Sequence, residues 1–433
     1  MQCPHFDAGR CRSCTLMGVS YADQLTRADA EVRALLAGHV TGQTRWEAPF
    51  ASPESGFRNK AKLVVTGTAA APKLGILDPG QHPRHHDGTG HDLRDCGLYQ
   101  PGMRTVFDAL ARTITRAGLT PYDVAARTGE LKNVIVTLSP DAECMVRFVL
   151  RSTQELEALR AQVPTLRREL EAEGVPAAVV TANLLPAHVA LPEGEEEVHL
   201  AGDATLRMRI NGIDLRLRPQ GFFQTNTAVT SALYATAAAW VDGAAAEGVE
   251  VRRVWDLYCG VGGFAFHLAG EDRQVWGQEV SAEAIAAARA TAAELGLADR
   301  VRFDAGDATG ALSFGKPSSP EALSFGKPSS SEVLSLAKRE ATQGDTPATA
   351  RGDGQTEVPD VVVVNPPRRG IGTGLSAALE DSGVPLVVYS SCNARTLAQD
   401  LGRMPSYRLE RVQVFDMFPQ TAHAETLVLL RRR

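Results

Sequence analysis

A cysteine, Cys392, closes a run of apolar and β-branched residues (Val384, Leu386, Val387, Val388) in the segment Tyr389-Ser390-Ser391-Cys392-Asn393-Ala394-Arg395. The run over Val384–Ser390 reads as a buried parallel strand, and open α/β sheets keep their chemistry at the carboxyl ends of such strands. A thiol presented there is a candidate nucleophile. Further on, Phe418-Pro419-Gln420-Thr421-Ala422-His423-Ala424-Glu425 offers a carboxylate and an imidazole just ahead of an expected strand over Thr426–Leu430. A thiolate and a base suit addition–elimination on a pyrimidine ring. Attack on C6 moves electron density to C5, C5 takes up an electrophile, and a base then removes the C5 proton so that the thiol can leave. Glu425 is the first choice for that base and His423 the second. A free thiol has a pKa of about 8.5, so the site must lower it or assist it, and the sequence singles out no group for that task.

The electrophile needs a pocket, and one is legible upstream. Asp256-Leu257-Tyr258-Cys259-Gly260-Val261-Gly262-Gly263-Phe264 ends a strand in a glycine turn that lets backbone approach a ligand closely. Glu279, at the end of the next strand, is placed to accept hydrogen bonds from a ribose diol. These features alone suit a nicotinamide dinucleotide as well as S-adenosylmethionine. Asn365-Pro366-Pro367, after four consecutive valines, favours the second, because it sets a side-chain amide and a rigid turn beside the pocket. A methyl-transfer site is therefore expected, with an NAD-dependent oxidoreductase as the alternative.

These residues require a scaffold. From Gly221 onward, helices (Thr227–Val241, Phe264–Ala269, Ala282–Leu295) alternate with strands (Val251–Leu257, Gln274–Gln278, Val301–Asp304, Val361–Asn365), the pattern of a doubly wound Rossmann-like α/β sheet. Between Pro49 and Arg218 the pattern is instead short strands, from Ala61–Thr66 to Leu206–Ile210, with helices at Gly102–Ala117 and Thr153–Glu173, which predicts a mixed, largely antiparallel α+β unit. Three regions follow: an N-terminal cysteine-bearing segment with one amphipathic helix (1–48), a central α+β domain (49–218) and an α/β domain (219–433). Within the last, Ala311–Glu321 recurs almost unchanged at Ala322–Glu332, and Gly and Pro in each copy exclude continuous helix, so 311–358 reads as a disordered surface insertion.

With 433 residues, 44% hydrophobic and 22% charged, the chain has the composition of a multidomain globular protein. No apolar run is long enough to span a bilayer, and no signal-peptide layout opens the chain; a cytoplasmic location without membrane association is expected. The net charge of −6 excludes a whole-molecule polyanion binder but permits a local basic patch. Arg58, Lys60 and Lys62 beside Phe57, with Arg84, His85, His86 and Arg94 on the next long loop, form a candidate surface for an unpaired RNA loop. Seven cysteines, odd in number and unevenly spread, argue against a disulfide framework. Cys3, Cys11, Cys14 and Cys96 suit structural zinc or an iron–sulfur cluster, with zinc slightly ahead on the residues alone.

The chain resembles the RNA uracil-5 methyltransferases, over essentially its whole length outside 311–358. The resemblance is carried by Gln2-Cys3, His5-Phe6-Asp7 through Cys14, Phe57-Arg58-Asn59-Lys60-Ala61-Lys62, Phe222-Phe223-Gln224-Thr225-Asn226, the Asp256–Gly263 turn and Ser390-Ser391-Cys392-Asn393. It implies that Gln224, Tyr258, Glu279 and Asn365 contact S-adenosylmethionine, that Cys392 is the nucleophile and Glu425 the proton acceptor, and that Cys3, Cys11, Cys14 and Cys96 ligate a [4Fe–4S] cluster. It also implies 23S ribosomal RNA as partner; the protein itself is expected to be a monomer. Asn365, where relatives acting on transfer RNA or on the other 23S site usually carry Asp, favours the branch specific for uridine 747; another rRNA or tRNA uridine is the alternative. Tyr258 stands where that branch commonly has Phe, Gln420 where it commonly has His, and the insertion has no counterpart.

Overall fold

The computed structural model describes residues 1–82, 86–308 and 358–433. The insertion read at 311–358, Val358 apart, and the loop residues Arg84 and His85 lie outside them.

The N-terminal segment opens on a one-turn helix, Pro4–Asp7, and continues into the helix Tyr21–Leu36, whose cap is Ser20 accepting from the Asp23 amide at 3.2 Å. The two-residue strand β1 (Arg45–Trp46) follows. The central unit is built from β2 (Lys60–Thr68), β3 (Ala71–Leu77), β4 (Gly90–Asp92), β5 (Leu131–Leu138), β6 (Cys144–Leu150), β7 (Ala177–Leu184) and β8 (Glu196–Gly202). They form one sheet in the order β4-β3-β2-β5-β6-β7-β8, antiparallel except for β6 with β7. Helices Met103–Ala117 and Leu156–Ala172 pack on one face around Phe107, Leu110, Leu159 and Leu166, all fully buried. The hairpin β9 (Leu206–Ile210) and β10 (Ile213–Leu217) then leads across to the second layer.

That layer is the doubly wound sheet: β11 (Arg253–Leu257), β12 (Gln274–Glu279), β13 (Val301–Ala305), β14 (Val361–Val364) and β15 (Leu386–Ser391) run parallel, and β16 (Tyr407–Phe415) and β17 (Glu425–Arg432) add an antiparallel edge. The order is β1-β16-β17-β15-β14-β11-β12-β13. β14 and β15 are almost wholly apolar and buried on both sides, as parallel strands covered by helices must be. The helices Thr227–Ala246 and Ala282–Glu294 cover one face; Tyr21–Leu36, Gly372–Ser382 and Ala394–Leu401 cover the other.

Two stretches pack across the boundaries drawn from sequence. β1 pairs with β16, and Val32 and Leu36 of the first long helix are buried in the far-face core, so much of 1–48 is part of the α/β layer. Leu206, Met208, Leu215 and Leu217 of the β9–β10 hairpin sit in the α/β-layer core, β10 against Ala282–Glu294 and β9 against Thr227–Ala246, and Met145 and Val179 of the central sheet join the same core. Hydrophobic alternation reports that a strand is half-buried, not against which partner. β1 and β4 are too short to show any period, and β16 is interrupted by a bulge at Leu409–Arg411.

Candidate active site

β14, β15 and β17 bring the site together. In the β15–β17 register Ser391 faces Thr426 and Ser390 faces Leu427, so Cys392, one residue past β15, meets the start of β17, where Glu425 lies. Asn393 caps the following helix, accepting from the Arg395 amide at 3.2 Å, which sets Cys392 immediately before a helix N-terminus. The Asn393 side chain also donates to the Arg368 carbonyl at 3.1 Å, tying the Asn365-Pro366-Pro367-Arg368 loop to the cysteine. That loop is held from behind by Asp400, which accepts from the Ile371 amide at 2.9 Å and from the Tyr389 hydroxyl at 2.8 Å. Gly370 (φ +77°) permits the approach, since a Cβ there would come within 2.3 Å of Asp400 Oδ2.

Cys392 is partly exposed and borders a cavity of about 300 Å³ whose walls include Arg368, Arg395, His423 and Glu31. Burial and the Glu425 charge push its thiol up, and Arg368 pulls it down. Arg368 is the assisting group that sequence reasoning did not single out, although it directly follows the Asn365-Pro366-Pro367 turn. Glu425 is 2% exposed, and Ser390 Oγ donates to its Oε1 at 2.5 Å. Burial pushes the carboxyl up to about 7, the Ser390 hydrogen bond opposing. A carboxyl held near neutrality can both take and release a proton at working pH. His423 borders the same cavity but is exposed, its amide bonded to Thr421 Oγ1 at 3.3 Å.

Three of the cofactor-binding candidates, Tyr258, Glu279 and Asn365, lie at the carboxyl ends of the neighbouring strands β11, β12 and β14. Glu279 Oε1 accepts from the Ser281 amide at 3.1 Å and Oε2 from the Gly260 amide at 3.4 Å, which locks its carboxylate against the glycine turn. Tyr258 takes a left-handed conformation (φ +66°). Gly262 needs glycine twice over: its φ is +89°, and a Cβ would lie 2.6 Å from Phe266. Beneath the turn, fully buried Asp256 accepts from the Ala265 amide at 2.9 Å through Oδ2, while Oδ1 finds no partner among the described residues. Burial, with the Glu279 charge adding, pushes Asp256 up to about 8. Asn365 follows β14 directly. Gln224 is nearly buried on the loop after β10, where Asn59 Nδ2 donates to its carbonyl at 3.1 Å. A glycine turn with open space beside Gly260, where nothing lies within 4 Å of a Cβ position, and a carboxylate fixed against that glycine's amide fit a nucleoside sulfonium.

The basic segment Phe57–Lys62 is more engaged than its composition implied. Phe57 is buried, Lys60 Nζ reaches the Gly221 carbonyl at 3.4 Å with its amine pushed down to about 8 by burial, and Lys62 pairs with Glu193. Arg94 is occupied by Asp92 and Asp108, and His86 by the Asp78 carbonyl. Phe222, by contrast, is 73% exposed beside the cofactor candidates; it lay within a quoted motif without a role.

The N-terminal cysteines approach one another. His5 Nε2 bonds Asp95 Oδ1 at 2.7 Å, drawing the start of the chain onto the turn that carries Cys96, and Cys14 packs with Phe57 and Leu98 while Cys96 and Met1 line the same small core. Burial and the charges of Cys96, Cys11 and Cys3 push the Cys14 thiol up to about 11. Among the described residues no set of three or more potential ligands is gathered closely enough to hold a metal ion. The donor chemistry, four thiols whose mutual repulsion a cation would relieve, fits a thiolate-ligated centre; the spacing as it stands does not close one.

A doubly wound sheet with a glycine-turn pocket and a cysteine–carboxylate pair where β15 ends and β17 begins defines a methyltransferase, and a general methyltransferase-domain model matches residues 250–317. The model described as tRNA (Uracil-5-)-methyltransferase matches residues 356–433. Over all 433 residues the chain is 46% identical to a protein of Salmonella enteritidis named 23S rRNA (uracil(747)-C(5))-methyltransferase RlmC, covering 100% of both chains; a protein of the same name from Escherichia coli O139:H28 is 45% identical, with 99% of each covered. A solved structure, the Pyrococcus abyssi tRNA (uracil-54, C5)-methyltransferase in complex with S-adenosyl-L-homocysteine, shares the fold with a TM-score of 0.68 at 21% identity, covering 96% of this chain and 85% of that one. The chain belongs to the RNA uracil-C5 methyltransferase family. Membership sets aside the dinucleotide reading of the glycine turn. No helix among the described residues is long and apolar enough to cross a membrane.

Proposed function

We propose that this enzyme methylates C5 of uridine 747 in 23S ribosomal RNA, with S-adenosylmethionine as the methyl donor. The observation that carries the reading is the pairing of a partly exposed thiol, Cys392, with a buried carboxyl near neutrality, Glu425, at one sheet edge. The Cys392 thiolate adds to C6, and the electron pair of the 5,6 double bond moves to C5. Gln224, Tyr258, Glu279 and Asn365 would hold the donor in the glycine-turn pocket, where C5 would take its methyl group as the methyl–sulfur bond breaks, the electron pair staying on sulfur to leave S-adenosylhomocysteine. Glu425 then accepts the C5 proton, the 5,6 double bond re-forms, and the C6–S bond breaks to return the Cys392 thiolate. Because C5 and C6 must reach a recessed thiol, the target base leaves its stack.

Replacing Cys392 with Ala is expected to abolish methyl transfer while sparing donor binding, and RNA carrying 5-fluorouridine at the target is expected to trap the wild-type enzyme covalently because no C5 proton can be removed. Turnover by the Ala variant would sink the nucleophile assignment. The target is tested by mapping 5-methyluridine in rRNA from a strain lacking the protein: persistence of the modification at 747 rules that site out.

The same reading extends to the N-terminus, where Cys3, Cys11, Cys14 and Cys96 hold a [4Fe–4S] cluster of architectural role. Support comes from the donor set and from the His5–Asp95 contact that brings the two ends of the set together. Protein purified without oxygen should be brown and carry about four irons, and Cys96→Ser should bleach it. Stoichiometric zinc without iron would overturn the cluster and leave the methyltransferase chemistry standing.

A further inference from the structure

The loop that delivers Glu425 is tied to the N-terminal segment by a pair of buried glutamines. Gln24, on the helix Tyr21–Leu36, is 5% exposed, and Gln420, five residues before Glu425, is 1% exposed. Gln24 Oε1 accepts from the Gln420 amide at 3.0 Å, and Gln24 Nε2 donates to Gln420 Oε1 at 3.0 Å and to the Val19 carbonyl at 3.0 Å. The Leu16 amide, two residues after Cys14, donates to the Gln420 carbonyl at 3.0 Å.

These contacts fix which way both amides point. The Gln420 amide needs an acceptor and the Val19 carbonyl a donor, so Gln24 can face them in one orientation only. Gln420 must then turn its oxygen toward Gln24, which leaves its own Nε2 buried with no partner among the described residues. An unsatisfied buried donor forfeits its hydration without replacement and is destabilising. Gln420 also holds a left-handed backbone, φ +69°, which a non-glycine residue keeps only when its surroundings impose it. From there to Glu425 the chain is short and internally bonded: Thr421 Oγ1 donates to the Phe418 carbonyl at 2.7 Å and accepts from the His423 amide at 3.3 Å. Displacement of Gln420 therefore reaches Glu425.

We propose that Gln24 and Gln420 are positioning residues for proton removal, a clasp through which the segment Leu16–Gln24 sets the loop that carries Glu425. The inference rests on the roles given above to Cys392 and Glu425. The clasp does not touch the cofactor-binding candidates, so its loss should act on adduct breakdown and not on donor binding.

The test uses two substitutions. Gln24→Met removes every side-chain bond of the clasp. Gln420→Met keeps the backbone bond to Gln24 Oε1 and eliminates the unsatisfied donor, so this variant should fold at least as stably as wild type. Both should lower kcat by about tenfold or more through misplacement of the base, hold KM for S-adenosylmethionine within about twofold, and accumulate a covalent protein–RNA adduct with ordinary uridine substrate. A destabilised Gln24→Met leaves the decision to Gln420→Met, in which unchanged stability with slowed adduct breakdown supports positioning. Adduct breakdown at the wild-type rate in Gln420→Met overturns the clasp. Failure of the wild-type enzyme to form an adduct with 5-fluorouridine RNA would remove the underlying mechanism instead, and the clasp with it.

Discussion

Two sites, one in each sheet, bury acids in opposite ways. In the central sheet Arg147, 1% exposed, lies between Glu193 and Glu197, reaching Glu197 with Nε at 2.8 Å and Nη2 at 2.6 Å, while Asn183 Nδ2 adds a bond to Glu197 at 2.8 Å. Burial alone would raise Glu193, yet Arg147 and Lys62 outweigh it and hold the carboxyl below its ordinary range. In the α/β sheet Glu425 and Asp256 are more deeply buried and have only a hydroxyl and a backbone amide for company; both are pushed up, to about 7 and about 8. A compensated buried charge is a structural fastening. An uncompensated one costs stability and marks a place where protons move.

The sharpest way to break this contrast is to take the proton-accepting capacity from Glu425 and leave its shape. Glu425→Gln is expected to slow turnover by about 10²–10⁴-fold, the range for losing a general base, with methylated RNA accumulating as a covalent adduct visible on a denaturing gel. The pH dependence follows from the raised carboxyl: the base form grows as pH rises through about 7, so adduct breakdown in wild type should accelerate there and the variant should lack that limb. Folding runs the other way. A carboxyl raised in the folded state favours folding most below its unfolded value and loses that advantage as pH rises through the folded one, so Glu425→Gln should be the more stable protein above neutrality. Normal turnover by the variant would move the base elsewhere, with His423 next.

Arg147→Met probes the other half. Removing the cation strands two carboxylates, and the loss should be about 3 kcal/mol, at the low end for a broken buried pair because both acids keep some water. Urea unfolding monitors it, and at temperatures where the variant stays folded kcat should be unchanged. A large fall in kcat without loss of stability would mean that the central network serves catalysis after all.

What the sequence made legible follows the same division. Cys392, Glu425, Glu279 and the glycine turn could be read because each sits at a strand end, and strand ends are announced by apolar runs such as Val361–Val364 and Leu386–Ser391. The Gln24–Gln420 clasp, the Asp400 support and the Arg147 network could not, because each joins residues remote in the chain through side-chain bonds that leave no periodic trace. The basic segment Phe57–Lys62 was legible in a third, partial way: composition registered its charges but not the partners that Lys60 and Lys62 have in the fold.

Arg368 offers the smallest and finest discrimination. Burial and Glu425 push the Cys392 thiol up, so at neutral pH little of it is thiolate, and Arg368 supplies the opposing pull. Arg368→Ala should raise the thiol further and slow adduct formation with 5-fluorouridine RNA, because a smaller fraction is then thiolate. Arg368→Lys, which keeps the charge, should fall between. Because the defect lies in the thiolate fraction, it should shrink as pH rises above the ordinary thiol range, whereas a defect in RNA binding would persist at every pH. Combining Arg368→Ala with Glu425→Gln removes one influence of each sign, so adduct formation should recover toward the wild-type rate while breakdown stays slow. Equal losses in the single and double variants would show that Arg368 acts on the RNA and not on the thiol.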